Sequence, residues 1–188
     1  MDIFSTLKFG KILPKSIACR RRDAMTVTLI KLDKNHPTEA DRSVSRVAGK
    51  KVVVVDDSPR QRTALRSLYE SLGLVCVGEA ANGLECLGVV KKVCPDLVSL
   101  DALMPVMHGV ETLGYLREDG YAGLAVFVTE LGRSEALAEV RPQGHQPDAV
   151  FSKSDSREAF QNALNELFLA EEFRKVELSA LAAAEKTA

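Results

Sequence analysis

From Lys51 onward, short apolar runs of strand length alternate with stretches in which apolar residues recur every three or four positions. Val52 to Val55 is four valines in succession. A continuous β-branched run suits a strand covered on both faces, as crossover helices cover a parallel sheet. Ser58-Pro59 then supplies an N-cap and a first-turn proline, and Leu65, Leu68, Tyr69 and Leu72 follow at helical spacing until Gly73.

The unit repeats. Leu74 to Val77 reads as a second strand, Asn82-Gly83 as a turn and Leu84 to Lys92 as a second helix halted before Pro95. Leu97 to Leu100 is a third strand, and Val110 to Leu116 a helix after Gly109. Leu124 to Val128 is a fourth strand, Ser134 to Val140 a short helix, and Ala149 to Phe151 a fifth strand. A last helix starts near Ser156, carries Phe160, Leu164, Leu167 and Phe168, and runs to Ala170 or beyond. Five strand–helix units predict an α/β domain with a five-stranded parallel sheet.

Before Lys50 no period is sustained, and Pro14, Asn35, His36 and Pro37 interrupt the pattern. The expected division is a basic, flexible extension over 1–49, a folded domain over 50–171 and a helical or flexible tail over 172–188. The formal charge of −1 conceals an asymmetry, because residues 1–50 hold 11 Lys/Arg against 5 Asp/Glu and the remainder 14 against 21. Such a tail reads first as a solvated arm, and secondarily as a contact for an anionic membrane or nucleic acid. Its first dozen residues suit a short amphipathic helix through Ile3, Phe4, Leu7, Ile12 and Leu13, and Met25 is an alternative start. No run of about 18 apolar residues predicts a transmembrane helix. Cys19, Cys76, Cys86 and Cys94 form no C-x-x-C pair, which fits reduced thiols in a cytoplasmic protein.

Ligands of open parallel sheets sit outside the carboxyl ends of the strands where strand order reverses. Those ends carry Asp56 and Asp57 after the first strand, Asp101 after the third, Thr129 after the fourth and Lys153 after the fifth. Three converging carboxylates repel one another, and a divalent cation offsets that cost. Mg²⁺ fits, being a hard ion held by one or two carboxylates plus phosphate oxygens, with Mn²⁺ as a substitute. Asp101 then qualifies as a nucleophile toward phosphorus, with Thr129 and Lys153 sharing the charge of the transferred group.

Val52-Val53-Val54-Val55-Asp56-Asp57-Ser58, the D-x-x-M-P-x-M-x-G run from Asp101 to Gly109, and Ala81-Asn82-Gly83-Leu84-Glu85 together resemble the receiver domain of bacterial two-component response regulators. The resemblance covers about 120 residues. It implies a flavodoxin-like doubly wound (βα)5 fold with strand order 2-1-3-4-5. By position, Asp101 is similar to the phosphoacceptor, Asp57 to the direct metal ligand and Asp56 to the residue that helps hold the metal. The backbone carbonyl of Leu103 completes the implied ligand set; Thr129 resembles the switch hydroxyl and Lys153 the phosphate-binding lysine.

Three positions depart from the family pattern. Glu130 stands where a small residue usually follows the switch hydroxyl, and Ser154 where proline usually follows the lysine. Val150 occupies the place of the usual aromatic, with Phe151 one residue later.

The resemblance implies a phosphorelay module, charged by a histidine kinase or a histidine phosphotransfer protein, whose output is a changed set of protein partners rather than DNA binding. The expected output surface combines the 134–140 helix, the fifth strand and the last helix. It is not expected to be an enzyme acting on another substrate. The rival reading, motivated by Glu130, Ser154 and Val150, is a degenerate receiver that binds partners without phosphorylation. An aspartyl phosphatase is disfavoured, because the second aspartate such enzymes carry two residues after the nucleophile is replaced by Leu103.

Overall fold

The computed structural model describes residues 45–130 and 145–185. Its elements are β1 (Lys51–Val55), α1 (Pro59–Ser71), β2 (Val75–Ala80), α2 (Gly83–Val93), β3 (Leu97–Leu100), α3 (Gly109–Glu118), β4 (Leu124–Thr129), β5 (Ala149–Ser152) and α4 (Arg157–Glu185). The helix expected over Ser134–Val140 lies outside the described residues. All strand pairs are parallel and the sheet order is β2-β1-β3-β4-β5. This is the flavodoxin-like order expected of the sequence.

Two apolar layers explain the continuous valine run. Val53 and Val55 face one side, packing with Cys86 and Val90 of α2 and Leu113 and Leu116 of α3. Val52 and Val54 face the other, against Leu65 and Tyr69 of α1 and Phe160, Leu164 and Phe168 of α4. Successive strand side chains point to opposite faces, so a strand buried on both sides has no place for a polar residue. Ser99 is the exception in β3, and its hydroxyl is partnered by the buried Tyr69 hydroxyl at 2.9 Å.

Three local details differ from expectation. The second strand is displaced toward its carboxyl end; Leu74 is buried but precedes it. As the edge strand, β2 is only partly covered and tolerates Gly78 and Glu79, which blurs its apolar pattern. Asn82-Gly83 is not a free turn. Asn82 is the N-cap of α2, its side chain accepting from the Glu85 backbone N–H at 3.0 Å, and Gly83 opens the helix. Val47, placed by pattern before the folded part, is fully buried in the α1–α4 layer. Among the described residues no helix is long and apolar enough to cross a membrane.

Candidate metal and phosphoryl site

After β1 the chain crosses to β2 on one side, and after β3 to β4 on the other, so the carboxyl ends of β1 and β3 flank the switch point. Asp56 and Asp57 follow β1 directly and Asp101 follows β3. The Asp101 backbone N–H donates to the Val55 carbonyl at 2.8 Å, stitching the two strand ends together. One carboxylate oxygen from each of the three aspartates lies within 4.8 Å of the others. Asp56 is fully buried, Asp101 is 7% exposed and Asp57 faces solvent.

Lys153 arrives from the turn after β5, where its backbone N–H donates to the Thr129 carbonyl at 3.0 Å. Its Nζ donates to Asp101 Oδ2 at 2.7 Å and forms an ion pair with Asp56 Oδ2 at 2.7 Å. Among the described residues three carboxylates stand against one ammonium, which leaves a deficit of two positive charges, the charge of one divalent cation. Asp56 Oδ2 is buried and, despite its ion pair, has no aligned hydrogen bond. Its free lone pair and the hard all-oxygen donor set fit a magnesium-type ion.

The electrostatics follow the same deficit. Burial pushes the Asp101 carboxyl above its ordinary pKa and the Asp56 charge adds to this, although the Lys153 ammonium and the Leu103 N–H pull it down. Burial alone would lower Lys153; its hydrogen bond to Asp101, its close ion pair with Asp56 and the charges of both carboxylates outweigh it and raise its pKa. The two shifts share a sign because burial outweighs the Lys153 contacts at Asp101, whereas the two carboxylates outweigh burial at Lys153.

The loop after β3 is shaped around Asp101. The Leu103 N–H donates to Asp101 Oδ1 at 3.3 Å, and the Gly109 N–H closes the loop onto the Ala102 carbonyl at 3.0 Å. A Cβ at Gly109 would collide with the Asp101 carbonyl, so this close approach requires glycine. Met104 is buried, whereas Val106 is 80% exposed with φ at 71°, a conformation that strains a β-branched residue. The Gly83 N–H bonds the Met107 carbonyl at 3.3 Å, tying this loop to the start of α2.

Of the positions singled out from sequence, Asp56, Asp57, Asp101 and Lys153 converge in one pocket, and buried Thr129 ends the adjacent strand. Leu103 is half exposed, with its backbone N–H on Asp101. Glu130 is exposed. Ser154 sits in a turn held by the Ser152 N–H on Asp155 Oδ2 at 2.9 Å. Val150 and Phe151 are both buried, on opposite faces, and Phe151 stacks on Phe160 with centroids 4.5 Å apart.

Arg62 is the residue that sequence reasoning missed. From the second turn of α1 its Nη1 donates to the backbone carbonyls of Asp56 at 2.7 Å and Asp57 at 3.2 Å. Its Nε lies 3.6 Å from Glu79 Oε2, which holds the guanidinium from the far side. A helical residue five places after the acidic pair was the only available signal.

Fold and pocket together define an aspartate-centred receiver domain of the kind used in signalling. The chain belongs to the response regulator receiver domain family, whose model matches residues 52–165, more than half of its length. It is 37% identical over 96 residues to the chemotaxis protein CheY of Thermotoga maritima, covering 51% of this chain and 80% of that protein. CheY of Halobacterium salinarum is 28% identical over 121 residues, covering 64% of this chain and 98% of the relative. The chain spans only 32% and 26% of two longer relatives, the second a protein-glutamate methylesterase/protein-glutamine glutaminase of Hahella chejuensis. The crystal structure of a CheX–CheY–BeF3–Mg²⁺ complex from Borrelia burgdorferi shares the fold, with a TM-score of 0.57 at 24% identity, over 65% of this chain and 90% of that one.

Proposed function

We propose that this chain is a phosphorelay receiver in which Asp101 accepts a phosphoryl group from a histidine kinase or a histidine phosphotransfer protein, acting in the cytoplasm. The observation that carries the reading is the two-charge deficit around Asp101 among the described residues: three carboxylates within 4.8 Å and one ammonium between two of them.

In this reading Asp56, Asp57, Asp101 and the Leu103 carbonyl hold Mg²⁺, which when bound neutralises charge on the phosphoryl oxygens. An Asp101 carboxylate oxygen forms the new bond to phosphorus as the bond to the donor's imidazole nitrogen breaks. Lys153, already on Asp101 Oδ2, contacts the phosphoryl oxygens, and Thr129 at the end of β4 offers its hydroxyl to them. Output passes through altered protein contacts on the side where β5 and α4 meet. The chain assists only its own phosphorylation and dephosphorylation.

The test is incubation with Mg²⁺ and a small phosphodonor such as acetyl phosphate, read by intact mass. A gain of one phosphoryl group, absent without Mg²⁺ and absent in Asp101→Asn, is the expected result. Equal labelling of Asp101→Asn would overturn the assignment.

One observation favours a second reading, a receiver that binds partners regardless of phosphorylation. Val150 stands where an aromatic readout is expected, and the neighbouring ring of Phe151 is locked against Phe160 on the other side of the sheet. Partner capture that is equal with and without phosphodonor, on a chain proven to be labelled, would select it.

A further inference from the structure

Helix α4 has two halves. Phe160, Leu164 and Phe168 are buried against the sheet, and Glu171, 5% exposed, is the last buried position among the residues whose side chains are described, which end at Glu177. Beyond it Phe173 and Val176 are 63% and 65% exposed, although the helix continues to Glu185. At 3.6 residues per turn, Asn165, Glu172, Val176, Leu169 and Phe173 fall within about 100° of one another, beside the face that packs on the sheet. That is the width of stripe a helix normally buries.

The chain already runs along this side where it enters the described structure. The Arg46 backbone N–H donates to Asn165 Oδ1 at 3.1 Å, and its Nη1 pairs with Glu172 Oε2 at 3.2 Å. Val47, next in sequence, is buried in the α4 layer. What precedes Ser45 therefore leaves from a point on α4 next to Phe173 and Val176. Residues 1–44 contain the apolar run Val27, Leu29, Ile30 and Leu32 and hold nine Lys/Arg against five Asp/Glu, while α4 holds six Asp/Glu against three Lys/Arg. The thirteen residues from Leu32 to Ser45 reach at most roughly 45 Å, ample against the ~20 Å of helix between Glu172 and Glu185.

We propose that the segment N-terminal to Ser45 docks along the exposed side of α4 between Glu172 and Glu177, its Val27–Leu32 run covering Phe173 and Val176. Tethering favours this occupant, because a segment joined at the edge of its own site binds at high effective concentration. A second copy fits less well. Leu169, Phe173 and Val176 have the spacing of a coiled-coil seam, but only about two heptads remain before Glu185, short of the three to four such a seam needs. The proposal is independent of the phosphoryl chemistry.

The chain has no tryptophan, so Phe173→Trp in the full-length protein installs a single reporter on the stripe. The expected emission is blue-shifted, unchanged on dilution, and solvent-like once Leu29, Ile30 and Leu32 are replaced together by serine, with far-ultraviolet circular dichroism retained. Amide exchange around Phe173 and Val176 in the unsubstituted chain should be slowed, and the triple serine variant should lose that protection. Solvent-like emission in the full chain would overturn the proposal. So would a blue shift that survives the triple substitution, or one that fades on dilution together with a dimer in sedimentation, which would assign the face to a second copy.

Discussion

Nζ of Lys153 donates to Oδ2 of Asp101 at 2.7 Å, although the two residues are 52 positions apart and come from different strand ends. The same ammonium also faces Asp56. Lys153→Ala should therefore leave three carboxylates uncompensated and destabilise the metal-free domain, with the 3–5 kcal/mol for a broken buried pair as an upper bound because Asp101 can protonate. Added Mg²⁺ should recover much of the loss. Thermal melts with and without Mg²⁺ check this; a variant as stable as the parent in chelator would refute the pairing.

Magnesium itself should stabilise the chain. A ligand of the folded state adds about 2.7 kcal/mol at a hundredfold excess over its dissociation constant. For a domain of this size that is a rise in melting temperature on the order of 10 °C. Asp57 is exposed, so Asp57→Ala should leave the metal-free melt within about 0.5 kcal/mol of the parent while abolishing the magnesium-dependent rise. Titration calorimetry gives the same answer independently.

Arg62 grips the carbonyls of both acidic residues without touching the pocket with a charge of its own. Outer residues that orient metal ligands change affinity by roughly 10–100-fold when lost. Arg62→Ala should weaken magnesium binding by about tenfold, and Arg62→Lys should fail to restore it, because one ammonium cannot reproduce the guanidinium fork that spans two carbonyls and Glu79. Calorimetric affinities of the parent and the two variants decide the matter; a Lys variant with parental affinity would reduce Arg62 to a generic charge.

The thiols should separate by burial. Cys86 is fully buried and burial pushes its pKa up to about 12, whereas Cys94 is exposed at the end of α2. Because only the thiolate reacts, Cys86 should stay unmodified across neutral and mildly alkaline pH and label only on unfolding, while Cys94 labels in the native state. Peptide mapping after alkylation with and without denaturant measures both.

Much of the fold is legible in the residues, because a sheet buried on both faces leaves uninterrupted runs such as Val52–Val55 and Leu97–Val98. The acidic cluster is legible for the same reason: strand ends are readable, and the switch-point rule then says which ends meet. Edge strand β2 is less so, since half-exposure permits Gly78 and Glu79 in place of apolar residues. Asn82 looked like a turn because N-caps and turns draw on the same side chains. The full length of α4 was hidden by its composition, as Ala180 and Ala182–Ala184 continue a helix by propensity without marking a buried face. Arg62 escaped because it acts through backbone carbonyls, which leave no trace in residue type.

The offset between Val150 and Phe151 reaches further than one position. Neighbouring residues of a strand belong to different compartments of the molecule, so a ring moved by one place answers to a different set of helices. In this chain the ring at the end of β5 is wedged against Phe160, in the first turns of a 29-residue helix. The aromatic at the end of β5 therefore belongs to the side of the sheet where Arg46 and the start of the described chain are fastened, and not to the side that holds α2 and α3.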